Sequence, residues 1–149
     1  MKVDGGTPAL PLEGPYSKSA WRSHLDGSSG SVGDSLESAL RMTFAADISL
    51  RNYNRGKALA EDILREDPDH GPALVIRALA SWHLEGELAR SLSQLEEAQR
   101  VAPEWGVPSY EIAYLLSMTD RERGRQAFQK ADALGIKDTR NLGRRFYNR

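Results

Sequence analysis

The side chains best suited to acid–base or metal chemistry in this chain are three histidines and two pairs of adjacent acids. His24, His70 and His83 fall in no HExxH pattern, and none has a second histidine four residues away. The pairs Glu61–Asp62 and Glu96–Glu97 consist of neighbours, which diverge by about 100° on a helix. General acid–base catalysis needs two carboxylates that converge in one pocket. The sequence therefore predicts no metal site, no cofactor and no enzyme.

Other common chemical motifs are missing from the sequence as well. The chain contains no Cys, which excludes thiolate catalysis and disulfides. No GxxxxGK[ST] or GxGxxG pattern occurs, so no phosphate-binding loop is predicted. The stretch from Gly27 to Ser31 has the composition of a linker rather than of a GxSxG turn. These observations favour a protein that acts by binding.

Charge is balanced overall but unevenly distributed. The formal net charge is −1, yet residues 61–104 carry ten acids and four bases, and residues 121–149 carry nine bases and three acids. A near-neutral chain has no general attraction to nucleic acid or to anionic membranes. No stretch approaches the roughly 20 apolar residues of a membrane helix, and the first residues lack an apolar signal core. We expect a cytoplasmic protein, with neither membrane nor nucleic acid as its partner.

The chain divides by composition into three parts. Residues 1–35 are rich in Gly, Pro and Ser, and we expect an irregular tail. Residues 36–136 carry helical periodicity, beginning after an N-cap candidate at Asp34 or Ser35. Residues 137–149 form a basic end. No run alternates with the period of a strand. Within the middle part, further helices are predicted at 54–66, 72–84, 87–101, about 108–118 and 121–134.

Three helical segments repeat the same pattern of small and apolar residues. The segments start at residues 53, 88 and 121, which are 35 and then 33 residues apart. Positions four, eight and eleven of each segment lie on one helix face, where the small residue allows a partner helix to approach closely. In order, these positions hold Gly56, Ala60 and Ile63; Ser91, Leu95 and Ala98; Gly124, Phe128 and Ala131.

The unit at residues 72–105 carries the fullest version of the pattern, with an aromatic residue at Trp82, a turn at Gly86 and Pro103 at its end. It resembles the tetratricopeptide repeat, a helix–turn–helix unit of 34 residues. The flanking units, at about 37–71 and 105–136, match less fully. The resemblance implies an all-α fold, a short right-handed solenoid of about three helical hairpins.

In this family the first helices of the hairpins line a concave groove that binds a peptide or an amphipathic helix of another protein. The resemblance therefore implies a protein–protein interaction module, an adaptor or assembly subunit, with an apolar groove. The alternative is a small chaperone that shields one aggregation-prone client, such as a secretion-system substrate. The implied groove residues are Arg41, Ala45, Ile48, Ala73, Ile76, Ala80, His83, Leu84, Ala113 and Leu116.

Both ends of the chain contain residues that can pack on the helical part. Leu10, Leu12, Tyr16 and Trp21 are unexpected in a pure spacer, so the tail either docks on a surface or is a mobile leader. At the basic end, Asp138 or Thr139 can cap a helix in which Leu142 and Phe146 form an apolar pair. Arg140, Arg144 and Arg145 surround that pair. We favour a helix that closes the end of the solenoid over contact with an acidic partner or RNA.

Overall fold

The computed structural model describes residues 8–27 and 30–147, and every regular element in these residues is helical. The all-α prediction is confirmed. A 3-10 turn at Ile48–Leu50 separates the second helix from the third. The eight helices are α1 (Lys18–Gly27), α2 (Gly30–Phe44), α3 (Tyr53–Glu66), α4 (Gly71–Glu85), α5 (Leu88–Val101), α6 (Val107–Leu116), α7 (Arg121–Ala133) and α8 (Leu142–Tyr147).

Local signals set the bounds of α3 to α7, which agree with the predicted helices to within one or two residues. The side chains of Asn52 and Asp120 each accept a hydrogen bond from an amide in the first turn of α3 and α7. His70 caps α4 in the same way through Nδ1. Gly86 ends α4 in the left-handed conformation, with φ of 70°.

Consecutive helices pack as the pairs α2–α3, α4–α5 and α6–α7, and each pair packs on the next. At the recurring small position, the second helix of each pair contacts the first. A Cβ on Gly56 would collide with the Thr43 side chain in α2, and one on Gly124 would lie 3.3 Å from Leu116 Cβ in α6. Ser91 Oγ donates to the Ala78 carbonyl of α4 at 3.0 Å. The small residues thus permit close packing in all three pairs.

The N-terminal part differs from the predicted irregular tail. Residues 18–27 form α1, and α2 begins at Gly30, so Asp34 and Ser35 lie inside a helix rather than at its start. The physical reason is burial: Trp21 of α1 is completely buried in the main core cluster, and this outweighs the polar composition around it. The predictions for residues 1–7 and 28–29 lie outside the described residues.

The basic end contains the predicted helix. Asp138 accepts hydrogen bonds from the amides of Leu142 and Gly143 at 2.8 and 2.7 Å, which fixes the start of α8. Leu142 and Phe146 are buried in a second, smaller cluster with Tyr110, and α8 packs on α7. Residues 148–149 lie outside the described part. None of the described helices is long and apolar enough to cross a membrane.

Candidate functional site: the tail face and the Trp82 cleft

We call residues 8–21 the tail. This segment crosses the helical body and includes the first residues of α1. The surface that receives it combines α2, the loop before α6, α6 itself and the segment before α8. We call this surface the tail face and define it by its principal contacts, Arg41, Phe44, Trp105, Glu111 and Arg140.

Tyr16 is the tail residue with the most specific contacts. Its ring stacks on Phe44 of α2, with centroids 4.1 Å apart and planes within 5°. Its hydroxyl donates to Glu111 Oε1 of α6 at 2.8 Å and accepts from the Arg140 guanidinium. One side chain of the tail therefore joins three separate segments of the body.

Trp21 forms a second anchor. The indole N–H donates to the Pro15 carbonyl at 2.7 Å, and its ring meets Trp105 edge-on with centroids 4.8 Å apart. The Trp105 indole N–H in turn donates to the Ala20 carbonyl at 2.8 Å. Both indoles are buried and hydrogen-bonded, as buried Trp side chains usually are.

The tail also contacts the body through two backbone carbonyl groups and through one exposed ion pair. The Arg41 guanidinium donates to the Pro8 carbonyl, and the Ala46 amide donates to the Ala9 carbonyl, both at 2.9 Å. Glu13 and Lys137 form an exposed ion pair at 3.0 Å, which stabilises little because water screens it.

Glu111 is a carboxylate buried completely within α6. Burial raises its pKa to about 7, because a charged carboxylate is poorly solvated there; the charge of Arg140 and the Tyr16 hydrogen bond act in the opposite direction. Its second oxygen, Oε2, has no hydrogen-bond partner among the described residues. Burial therefore favours the neutral form of this carboxyl group.

Most of the groove residues implied by the family resemblance do not form a free surface. Leu84 and Ile48 are exposed, Arg41 is half-buried and bonded to the tail, and the exposed His83 stacks on Tyr53 with centroids 4.4 Å apart. Desolvation lowers the pKa of His83, and the charges of Arg140 and Arg51 add to this effect. The other six are buried: Ala45, Ala73, Ile76, Ala80, Ala113 and Leu116. A groove made of these six is therefore closed in this structure.

Three of the four candidate tail residues are buried, and one is exposed. Leu10, Tyr16 and Trp21 belong to the same core cluster as Ala73 and Ile76 of α4. Leu12 is 98% exposed and does not dock. The tail thus supplies part of the core that contains these two residues, which the family resemblance implied for an open groove.

Beside the tail face lies an open cleft of about 420 Å³, which we call the Trp82 cleft. The guanidinium carbon of Arg140 lies 3.7 Å from the centroid of the Tyr114 ring, a cation–π contact in the cleft wall. Arg140 Nε is buried and has no hydrogen-bond partner among the described residues. The lining residues are Trp82, Tyr114, Leu115, Ser117, Met118, Thr119, Arg140, Leu142 and Arg145.

The three arginines of the basic end have different positions. Arg140 belongs to both surfaces, Arg145 lines the Trp82 cleft, and Arg144 is exposed without lining it. Sequence reasoning missed the roles of Trp105, Tyr114 and Glu111. The available signal for Glu111 was its position as the one charged residue in the apolar segment VPSYEIAYLL.

Within residues 8–27 and 30–147, no group of three or more His, Asp or Glu side chains is arranged to hold a metal ion. The chain matches no protein-family model, no curated protein and no solved structure. What these two surfaces bind therefore has to be inferred from the residues that form them.

Proposed function

We propose that this chain is a protein-interaction module whose tail face binds a segment of another protein in place of residues 8–21. The observation that carries the proposal is the tail itself, a segment of bends and turns leading into α1 that is held on the helical body by side-chain anchors and backbone hydrogen bonds. The tail is then an intramolecular ligand that a partner segment replaces.

Part of this recognition is independent of sequence. Arg41 and the Ala46 amide bind carbonyl groups of Pro8 and Ala9, and Trp105 binds the carbonyl of Ala20. Every polypeptide offers such carbonyls, so these donors can serve any segment that takes the same path. The donors set the position of a bound segment without selecting its side chains.

The Tyr16 contacts supply the selective part. Phe44 offers a flat apolar surface, and Glu111 and Arg140 offer an acceptor and a donor at its edge. A phenol matches this combination, because its ring is apolar and its hydroxyl can both donate and accept. We expect a competing segment to carry a tyrosine that occupies the place of Tyr16.

We also propose that the three helix pairs form a short solenoid of the tetratricopeptide kind. The packing of Gly56, Ser91 and Gly124 against the preceding helix supports this arrangement, because the same position performs the same role in each pair. The tail face uses the first helices of two of these pairs, α2 through Phe44 and α6 through Glu111.

A labelled peptide with the sequence of residues 8–27 tests the proposal against the full chain. Tyr16→Ala weakens the attachment of the intramolecular tail, so we expect this variant to bind the peptide at least about fivefold more tightly than the wild type does. Leu12→Ala is the matched control, because Leu12 belongs to the tail but is exposed. Fluorescence anisotropy measures all three affinities.

The proposal is wrong if Tyr16→Ala and Leu12→Ala bind the peptide equally, or if neither binds it while both remain folded by circular dichroism. If the expected order holds, the same two variants serve as paired baits in the native cell. Proteins retained by Tyr16→Ala and not by Leu12→Ala are then the candidate partners.

A further inference from the structure

The Trp82 cleft has the dimensions and lining of a small-molecule site. Its volume of about 420 Å³ falls within the range of roughly 300–1,000 Å³ typical of ligand pockets. Trp82, Tyr114, Leu115, Met118 and Leu142 give it a mainly apolar and aromatic wall. Such a wall favours a ligand whose body is apolar.

The charged groups of the lining all have one sign. Arg140 and Arg145 line the cleft, and no Asp or Glu is among the lining residues. Neither arginine forms an ion pair with a carboxylate in the part of the chain that the structure describes. The charge of the buried Glu111 acts on Arg140, and Oε1 of this carboxylate accepts a hydrogen bond from Tyr16.

Arg140 is held in place beside a more exposed arginine. Stacking on Tyr114 and the bond to the Tyr16 hydroxyl fix the plane of its guanidinium, and its Nε is buried, out of reach of a ligand. Among the described residues, Arg145 donates only to the sulfur of Met118, a weak acceptor. A fixed, planar guanidinium next to a second arginine that lacks a strong acceptor is suited to a carboxylate, whose oxygens accept charge-assisted hydrogen bonds from both groups.

We propose that the Trp82 cleft binds a small amphipathic carboxylate, a free molecule with an apolar or aromatic body that packs on Trp82 and a carboxylate that pairs with Arg140 and Arg145. A bare phosphate fits less well, because a strongly hydrated anion gains nothing from the apolar wall. This inference shares Arg140 with the proposed function but is tested separately, since Trp21 and Trp105 report on the tail and Trp82 reports on the ligand.

Sodium 4-phenylbutyrate is the probe, titrated into the isotopically labelled full chain and followed by the indole N–H signals in NMR spectra. We expect a saturable shift at Trp82 with a Kd on the order of 1 mM, the range for a ligand of about a dozen heavy atoms. Trp21 and Trp105 should shift much less. The neutral 4-phenylbutyramide should bind at least about fivefold more weakly, because it lacks the charge.

Arg145→Gln and Arg144→Gln form the matched pair of variants. Both remove one exposed arginine from α8, but only Arg145 lines the cleft. We expect Arg145→Gln to weaken 4-phenylbutyrate binding at least about fivefold and Arg144→Gln to change it by less than about twofold. The indole spectrum of each variant also reports whether it is folded.

Four results would overturn the proposal. They are an absence of any saturable shift at Trp82, equal binding of acid and amide, equal loss in both arginine variants, and an equal response of Trp82 to inorganic phosphate. A fifth concerns the source of the carboxylate. If the blocked dipeptide acetyl-Glu-Phe-amide binds at least about tenfold more tightly than 4-phenylbutyrate, and depends on Arg145, the occupant is a polypeptide side chain rather than a free acid.

Discussion

The tail face and the Trp82 cleft share Arg140 but differ in what occupies them. On the tail face the chain fills its own surface: Tyr16 and Trp21 are buried, and their polar atoms are hydrogen-bonded within the protein. In the cleft, Arg145 lacks a carboxylate or any strong acceptor among the described residues. The tail face is occupied by the chain itself, and the cleft is open.

The difference separates two kinds of binding. A surface that already holds part of the chain can bind a partner only by competition, so its affinity depends on how firmly the tail is docked. An open cleft lined by two arginines binds directly, and its affinity depends on charge. The following predictions test this distinction, beginning with the largest effect.

The largest effect is expected away from both surfaces. Leu95 is completely buried in α5, within the main core cluster. Leu95→Ala should lower the free energy of unfolding by about 2–5 kcal/mol, because it removes buried methyl groups and leaves a cavity. Urea unfolding followed by circular dichroism measures this loss. A loss below about 1 kcal/mol would show that α5 is not part of the core as described.

Truncation of the tail anchors should have a limited effect. Trp21→Ala should cost less than the roughly 3–5 kcal/mol usual for a buried Trp, because once the tail undocks no further contact is lost. For the same reason, adding Tyr16→Ala to the Trp21→Ala variant should lower the free energy of unfolding only a little further. Urea unfolding of the two single variants and the double variant measures this.

Additive losses would contradict the comparison, because they would make the tail an inseparable part of the core. Leu12→Ala is the control and should change stability by no more than about 0.5 kcal/mol, since Leu12 is exposed.

The buried carboxyl group predicts a pH dependence. Because the pKa of Glu111 is raised to about 7 from an ordinary 4.5, the folded protein binds more protons than the unfolded chain between these values. This group therefore stabilises the fold fully below about pH 4.5, and its contribution is lost as pH rises through 7. The difference in stability between Glu111→Gln and the wild type should therefore shift in favour of the variant when the pH is raised from 5 to 8.

The maximum slope for one such group is about 1.4 kcal/mol per pH unit. Comparing the variant with the wild type at each pH cancels the contributions of the histidines, which titrate in both proteins. A difference in stability that is the same at pH 5 and pH 8 would mean that Glu111 is ionised throughout this range.

The smallest effect on stability is expected for the two exposed arginines of α8. Arg144→Gln and Arg145→Gln should each change the free energy of unfolding by no more than about 0.5 kcal/mol, because both side chains are exposed and neither forms an ion pair within the described residues. Urea unfolding checks the two variants. A large loss for Arg145→Gln alone would assign this residue to the fold rather than to a binding site.

Local sequence signals were enough for the five helices α3 to α7, since caps, turn glycines and apolar periodicity all lie within a few residues of each helix end. The tail could not be predicted in the same way. Trp21 is helical because it is buried against Phe44 and Trp105, which lie 23 and 84 residues away along the chain. Composition around Trp21 gives no sign of these partners.

The candidate site was predicted only in parts for the same reason. The apolar residues Ala73, Ile76 and Ala80 lie on α4 as expected, but the sequence does not indicate that they are covered. Arg140 was recognised as part of a basic end, whereas its contacts with Tyr16 and Tyr114 depend on how distant segments meet. The sequence shows which types of side chain are present, but it does not show which of them lie close together in the folded chain.

Native-state hydrogen exchange tests the central claim, that the tail is a replaceable ligand of its own face. The amide N–H of Ala46 is bonded to the Ala9 carbonyl of the tail and the indole N–H of Trp105 to the Ala20 carbonyl, so both protons exchange when the tail undocks. The account predicts that both exchange with an opening free energy well below that of the Leu95 amide, which opens only with the core. Equal opening free energies at all three positions would contradict it, because the tail would then leave its face only when the whole protein unfolds.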